Sequence, residues 1–496
     1  MQNDVKVGAG PTLRRDLSIW EAIGISLALM APSMAANINP QGTASLIGRA
    51  VPLAFVMATV GVLLVAYTFV RLSQRFHHSG SVYGFVGATL GPRLGVVAGW
   101  ALTGTYVFYG VVTSVAFGRF ASTFLDSLGI WKNQGTWVPF VLALIGLVAV
   151  WLVALSPARG GTRALLVIEG VTVTLIVVVT VVVFVKLLNH SGPGGLGVDW
   201  SVFSVPEGTD SSAVFLGIVF GFLSFAGFEA AATLGEEAKH PRRDIPRAIL
   251  GVAIFGGVYF VVVTAVEVMG FGTSTDGVTA FVNSGSLLGD LGSTYLATWV
   301  GDVITAGAMV SAFGCALACA VGASRLLYAL GRDGVSFSYF NQISPTRGTP
   351  TRATTAVTLG MAGIVAFTWI VLRGDSLTLF IQSGTIGTLI LLVAYVLATV
   401  GAVRLLFFSG TRTVPVWEIV VPVLALLVLV YTLFRNVWPL PTGVAWWGPL
   451  VAISWLVIGV IWTLARPEAT RQAGERLLAA EGLSAEAPAY APADGK

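Results

Sequence analysis

The chain has 496 residues, of which 55% are hydrophobic and only 10% charged, with a formal net charge of +4. Length alone would suggest about three soluble domains, yet apolar stretches of about 20 residues follow one another with no polar linker, which excludes a soluble multidomain protein and marks one polytopic membrane domain. The basic balance reports membrane topology, not nucleic-acid binding, because of where Lys and Arg fall along the chain.

Residues 1–16 form a polar tail. No cleavable signal peptide is expected, because the N-terminus is polar up to Asp16 and the first apolar stretch is too long and lacks a small-residue cleavage site. The first helix is itself the expected insertion signal. Twelve spans are predicted near 18–47, 51–71, 93–120, 137–155, 163–187, 211–235, 247–270, 297–330, 353–372, 376–404, 415–435 and 446–465. They fill a membrane domain over 17–466, followed by a second polar tail over 467–496. With the N-terminus inside, all but six of the 28 Lys and Arg lie on the cytoplasmic side, the exceptions being Arg49, Arg119, Lys132, Lys186, Arg373 and Arg435. The positive-inside rule is therefore met by twelve crossings with both termini cytoplasmic.

Span 1 contains Leu29-Met-Ala-Pro-Ser-Met-Ala-Ala-Asn-Ile38, with Pro32 where a continuous helix needs a backbone donor, so a break is expected over 31–37. His77 and His78 follow span 2 in a loop and read as solvated. In span 3, Tyr106, Phe108 and Tyr109 are candidates to line a cavity, with lipid or helix packing as the alternative. Glu169 is the acidic residue of span 5, and either titrates in a coupling role or pairs with Arg163 at the helix start. A Gly-rich stretch over 191–197 reads as an outer loop.

Span 6 carries Phe220-Gly-Phe-Leu-Ser-Phe-Ala-Gly-Phe-Glu-Ala230, in which small residues loosen the helix and Glu229 places a carboxylate in an apolar setting. Such a group is costly and faces a partner, a cavity or water. A second break is expected at about 224–228. Beyond it, Glu236 and Glu237 beside Arg242, Arg243 and Arg247 read either as an inner-gate latch or as topology determinants. Glu267 in span 7 and Asp302 entering span 8 are further acids in apolar context with no motif behind them. Cys315 and Cys319 lie one turn apart among small residues and read as packing, not as a disulfide or metal site. Trp438, Trp446 and Trp447 fit an outer interfacial belt.

The two expected breaks are five spans apart. Interrupted helices in corresponding positions of two halves point to an inverted-repeat transporter with its site near the midplane. Here the fold class is an all-α membrane protein with a 5+5 inverted repeat over about 17–190 and 211–405, broken helices 1 and 6, and two additional helices over 415–465. Unwinding frees backbone donors and acceptors that lipid cannot satisfy but a polar ligand can, and paired breaks suit a zwitterion such as an amino acid. A channel is disfavoured because no filter motif or subunit repeat is present. An enzyme is disfavoured too, since the chain has no His-Glu-x-x-His, no Gly-x-Ser-x-Gly, no phosphate loop and only four His.

The run Phe225-Ala-Gly-Phe-Glu-Ala-Ala-Ala-Thr-Leu-Gly-Glu-Glu-Ala-Lys-His-Pro-Arg-Arg-Asp-Ile-Pro-Arg-Ala-Ile249 resembles the span-6 signature of the amino acid-polyamine-organocation superfamily, with His240 in place of the usual Asn. Gly80-Ser-Val-Tyr-Gly-Phe-Val-Gly-Ala-Thr-Leu-Gly-Pro-Arg-Leu-Gly-Val-Val-Ala-Gly-Trp100 and Ser324-Arg-Leu-Leu-Tyr-Ala-Leu-Gly-Arg-Asp-Gly334 match further stretches, so the resemblance runs through spans 1 to 10 in order. It implies a secondary transporter of amino acids or related amines, with protons or sodium as coupling ion, membrane lipid around it, and no cofactor or nucleic acid. A polyamine or other organic-cation carrier of the same fold is the alternative.

Carried over by residue, the resemblance implies that Leu223, Ser224, Phe225 and Ala226 offer carbonyls and side chains to an amine, that Ala31, Pro32, Ser33, Met34 and Ala35 form the facing break, and that Tyr106 lines the site. Glu229 matches the family's carboxylate beside the span-6 break. Span 1 departs from the pattern, because many relatives carry a Gly-Ser/Thr-Gly cluster where this chain has Ala31-Pro-Ser-Met-Ala35. Pro32 has no N–H to give, so Ser33 must supply a hydroxyl or its own N–H, and an amine or modified amino acid gains over a standard α-amino acid. Proton-coupled relatives place a Lys in span 5, where this chain has none between Arg163 and Lys186, which leaves Glu169 and Glu229 as the coupling candidates. Abundant Arg, Ala, Val and Gly suggest a high-GC bacterial genome and hence a plasma membrane.

Overall fold

The computed structural model describes residues 18–76, 81–156, 160–234, 238–344, 348–409 and 414–480. Helix α1 (Ile19–Met30) and α2 (Pro32–Ile47) meet at a single residue, and α3 (Val51–Ser73) returns after a short 3-10 turn. Then come α4 (Ser81–Leu90), α5 (Pro92–Ser127), α6 (Val138–Ala154) and α7 (Gly160–Leu188). The second half opens with α8 (Val214–Phe225) and a 3-10 helix over Ala230–Leu234, then α9 (Pro241–Phe271). Two short helices, α10 (Thr275–Asn283) and α11 (Leu287–Tyr295), lead into α12 (Thr298–Arg332), α13 (Thr351–Ile370) and α14 (Ser376–Val403). The chain ends in α15 (Val420–Val437), α16 (Trp447–Ala465) and α17 (Pro467–Ala480), and no strand occurs among the described residues.

Among the described residues, ten helical segments are long and apolar enough to cross a membrane, and the apolar Val138–Ala154 is shorter. An all-helical design follows from the solvent, since in hydrocarbon every backbone N–H and C=O must find its partner within the segment. Side chains such as Val171, Val181, Leu427, Val430, Ile458 and Ile461 stay exposed on the rim, as lipid contact allows. At the centre, α12 and α14 pack along α5, α3 packs on α9, and α2 packs on α8. Small residues permit the close approaches: an added Cβ at Gly221 would come within 2.4 Å of Ala58, and one at Gly118 within 2.1 Å of the Pro139 carbonyl.

Several boundaries differ from the sequence expectation. Helix α9 begins at Pro241, six residues before the predicted span, because proline at the first turn has no donor to lose. Helices α10 and α11 are additional to the predicted spans, being too polar and too short to cross. The segment over 467–496, expected as a tail, opens with α17, whose Gly474 packs on Pro92 and whose Arg476 reaches the Arg332 carbonyl at 2.9 Å. His77, His78, Glu236 and Glu237 lie outside the described residues.

Candidate functional site

The first break is one residue wide. Ala31 has φ 46 and ψ 59, a left-handed conformation that costs a non-glycine residue roughly 1 kcal/mol, and its N–H still closes on Leu27 at 2.9 Å. Helix α2 restarts at once, so Pro32 occupies a first-turn position where its missing N–H is no loss. Pro32 therefore opens the second half-helix instead of interrupting a longer one, and the break is narrower than 31–37.

The second break lies slightly later than expected. Helix α8 runs through Phe225, and the chain then turns through Ala226, Gly227, Phe228 and Glu229 before the 3-10 helix. Local bonds hold the turn: Phe228 N donates to Phe225 O at 3.0 Å and Ala230 N to Gly227 O at 2.9 Å. Gly227 takes φ 101, which side-chain-bearing residues rarely adopt, and an added Cβ would come within 2.8 Å of Leu29. Sequence and contact agree on glycine there for two separate reasons.

The breaks are bonded to each other. Ser26 Oγ donates to Phe228 O at 3.2 Å and accepts from Ala231 N at 3.0 Å. Farther along, Asn39 Nδ2 donates to Ser224 Oγ at 2.8 Å, while Ser224 donates to Phe220 O at 2.8 Å. Between the breaks lies a narrow cavity of about 20 Å³, lined on the break side by Leu29, Ala226, Gly227 and Glu229. Thr105, Tyr106 and Tyr109 of α5, Cys319 of α12 and Leu391 of α14 complete much of the wall. Glu229 is the charged residue of that lining. Glu229 is buried there, with the Tyr395 hydroxyl beside its carboxyl group.

Of the cavity candidates singled out in the sequence, Tyr106, Tyr109, Ala226 and Glu229 are brought together here, whereas Phe108 is not in the lining. Leu223, Ser224 and Phe225 remain within α8, buried, with Ser224 committed to internal hydrogen bonds. Ala31, Pro32, Ser33, Met34 and Ala35 are all buried beside the cavity rather than in its wall. Leu29, Leu102 and Leu391 were missed by sequence reasoning, because one apolar residue in an apolar helix carries no sign of which face meets a cavity. Gly227 had a signal in its place beside Phe-Glu at the expected break.

Glu169 reaches the start of α2. Its Oε1 accepts from the backbone N–H of Ser33 at 2.8 Å, and Ser311 of α12 stands beside it. The adjacent Met34 N donates to Ser311 Oγ at 3.3 Å. A carboxylate at a helix start satisfies free donors and complements the positive end of the dipole. The side chain of Arg163, the partner expected for it, lies outside the described residues. Glu267 is fully buried with no partner for either oxygen, whereas Cys315 Sγ donates to Leu29 O at 3.0 Å and forms no disulfide. Among the described residues no cluster of His, Cys, Asp and Glu fits a metal ion.

A family model described as amino acid permease matches residues 17–461. Cationic amino acid transporter 4 of Homo sapiens is 26% identical over 391 residues, which cover 76% of this chain and 58% of that protein. The branched-chain amino acid permease BcaP of Bacillus subtilis is 26% identical over 62% of this chain and 65% of its own length. The chain thus spans less than two thirds of either protein. The low-affinity putrescine importer PlaP of Escherichia coli is 25% identical over 74% of this chain and 78% of its own length. Among solved structures, a manganese transporter of Eremococcus coleocola shares the fold with a TM-score of 0.53 at 13% identity, covering 94% of this chain and 99% of that one.

Proposed function

The chain belongs to the amino acid permease family, and from that premise we propose that it is a secondary transporter carrying an amino acid or related amine across the plasma membrane by alternating access. Permeases are transporters rather than enzymes, and the chain is a multi-pass membrane protein. The observation that carries the reading is the meeting of two broken helices on one cavity that holds a single charged side chain, Glu229. Backbone breaks at membrane depth are tolerated where they line a ligand site or are buried in protein. Relatives named for cationic amino acids, branched-chain amino acids and putrescine support the substrate class.

The proposed architecture is twelve spans with both termini cytoplasmic and a 5+5 inverted repeat. The segment Ile19–Ser73 supports it: 55 residues of helix amount to about 80 Å at 1.5 Å per residue, against a hydrocarbon core of about 30 Å. Every residue of α2 from Pro32 to Ala44 is buried, while α1 buries only Ala22, Ser26 and Met30. Asn37 Oδ1 ties α2 to Ser286 at 2.8 Å and to Leu288 N at 2.9 Å, and Gln41 Nε2 donates to Ser284 O at 2.7 Å. This asymmetry supports a state closed at the α2 end, with α1 the half-helix that moves. Protons or sodium would couple the cycle, with Glu229 and Glu169 as the groups whose exposure changes.

The test is uptake by purified protein in proteoliposomes. Saturable uptake of an amino acid or amine, accelerated by the same solute on the opposite side, is the expected result. Flux that neither saturates nor shows countertransport would overturn the carrier reading in favour of a channel.

A further inference from the structure

We propose that Glu267 is a proton-binding site apart from the cavity at Glu229: it is held as the neutral acid, its hydrogen goes to the Ala36 carbonyl that Pro40 leaves open, and this bond fastens α9 to α2. The inference goes beyond the carrier reading and stands whether or not a solute is carried.

Glu267 lies in α9 with none of its surface exposed, and neither carboxyl oxygen has a hydrogen-bond partner. An ionised carboxylate there would have lost its water and gained neither a donor nor a counter-charge, which is the costliest way to bury such a group. The neutral acid costs far less and needs only an acceptor for its O–H.

Pro40 supplies that acceptor. It lies inside α2, where a proline has no N–H to return to the carbonyl four residues back, so Ala36 O lacks its regular helical donor. Ala36 and Pro40 are both buried, out of reach of water. A backbone carbonyl left open at membrane depth calls for a donor from a neighbouring helix.

Register brings the two together. Helices α2 and α9 pack on each other. An added Cβ at Gly256 would lie 3.4 Å from Met30 Sδ, and the Tyr259 hydroxyl donates to Pro32 O at 3.4 Å, so the two segments run in the same direction. Residues 259, 263 and 267 share one face of α9, and residues 32, 36 and 40 share one face of α2, because four residues make just over one turn. With Tyr259 on Pro32, Glu267 stands about two turns further along, level with the turn between Ala36 and Pro40. Its side chain leans back toward the Ala36 end of that turn, as helical side chains tilt toward the N-terminus.

The other titratable groups on the elements packed against α9 are engaged elsewhere. Glu169 of α7 accepts from Ser33 N at 2.8 Å, Lys186 of α7 donates to Tyr295 O, Tyr295 of α11 donates to Gly270 O at 2.9 Å, and Asp290 of α11 accepts from Ser284 Oγ at 2.6 Å. Tyr67 and Arg71 of α3 meet Glu418, Glu21 of α1 accepts from Ser18 N at 2.6 Å, Asp199 accepts from Thr273 Oγ1 at 2.6 Å, and Asp276 of α10 is exposed. Glu229 faces its own cavity, and Arg242, Arg243, Asp244 and Arg247 lie at the opposite end of α9.

Infrared difference spectroscopy of the purified full chain reads the protonated carboxyl group directly. At neutral pH the parent should show a carboxylic C=O band that Glu267→Gln removes and Glu229→Gln leaves in place; identical bands in the parent and Glu267→Gln would overturn the proposal. Thermal unfolding tests the bond to Ala36. Glu267→Gln, whose amide still donates, should unfold close to the parent, whereas Glu267→Met, similar in size but without a donor, should unfold several degrees lower. Pro40→Ala restores an N–H for Ala36, so in that background Glu267→Met should lose much less. Equal losses in the two backgrounds would overturn the proposal. Should the Met or Pro40 variant fail to fold, the infrared comparison of the parent with Glu267→Gln still decides.

Discussion

Ser26 and Phe228 stand 202 residues apart in the chain and share a hydrogen bond of 3.2 Å that joins the two broken helices. The same hydroxyl accepts from Ala231 N at 3.0 Å, so one small side chain satisfies a carbonyl and an N–H that the second break leaves outside a regular helix. Removing it strands both. Ser26→Ala is expected to lower stability by roughly 1–3 kcal/mol, the cost of buried backbone groups left unpaired. Thermal unfolding of the detergent-solubilised protein measures it, and an unchanged midpoint would show that other groups satisfy Phe228 and Ala231.

Gly227→Ala should abolish uptake while the protein still reaches the membrane. The new methyl group faces both an unfavourable φ of 101 and a contact of 2.8 Å with Leu29, so it forces the two breaks apart. The backbone term alone costs roughly 1–2 kcal/mol. Parent-like uptake by this variant would mean that the spacing between Leu29 and Gly227 has no part in transport.

Glu229→Gln keeps the shape of the cavity wall and removes its charge. If an ammonium group binds there, apparent affinity should fall by roughly tenfold to a hundredfold, corresponding to about 1.4–3 kcal/mol for a hydrogen bond to a charged group. Uptake measured over a range of substrate concentration and pH, with matched expression, checks it. A variant with parental affinity and an unchanged pH profile would remove Glu229 from both recognition and coupling.

Arg71 Nη2 meets Glu418 Oε2 at 2.5 Å, and Tyr67 also donates to that carboxylate, joining α3 to the start of α15. Glu418 is buried whereas Arg71 is partly exposed. Arg71→Met should therefore destabilise by about 1–3 kcal/mol, below the 3–5 kcal/mol typical of a fully buried pair. Parallel loss in the double variant with Glu418→Gln should be smaller than the sum of the singles, and strict additivity would count against a direct coupling.

Outside the membrane, the Thr273 hydroxyl at 2.6 Å and the Ser201 N–H at 2.9 Å hold the Asp199 carboxyl below its usual range. A depressed folded-state value contributes stability above the unfolded value near 3.8, which is lost as pH falls through the folded one. Thr273→Val should accordingly lower the unfolding midpoint at pH 7, with the difference from the parent shrinking as the pH drops below the unfolded value of 3.8. A difference that persists unchanged at acid pH would assign the effect to packing instead.

Composition and periodicity were enough to establish a helical membrane protein, because about 20 apolar residues in a row have no other solvent-compatible arrangement than a spanning helix. The break in span 1, the break near Gly227 and the cost of burying Glu229 were also legible, since proline, glycine and a carboxylate each violate the rules of an apolar helix locally. What the sequence could not say is which groups meet across the chain. Glu169 read as a coupling residue or as half of an ion pair with Arg163, and nothing local told that the packing of α7 against α1, α2 and α12 brings it to the Ser33 N–H. Ser26 carried no local signal at all, because its role depends on backbone groups more than 200 positions away. Local chemistry sets where a helix must break, whereas only tertiary packing decides whether the freed donors face a ligand or another residue of the same chain.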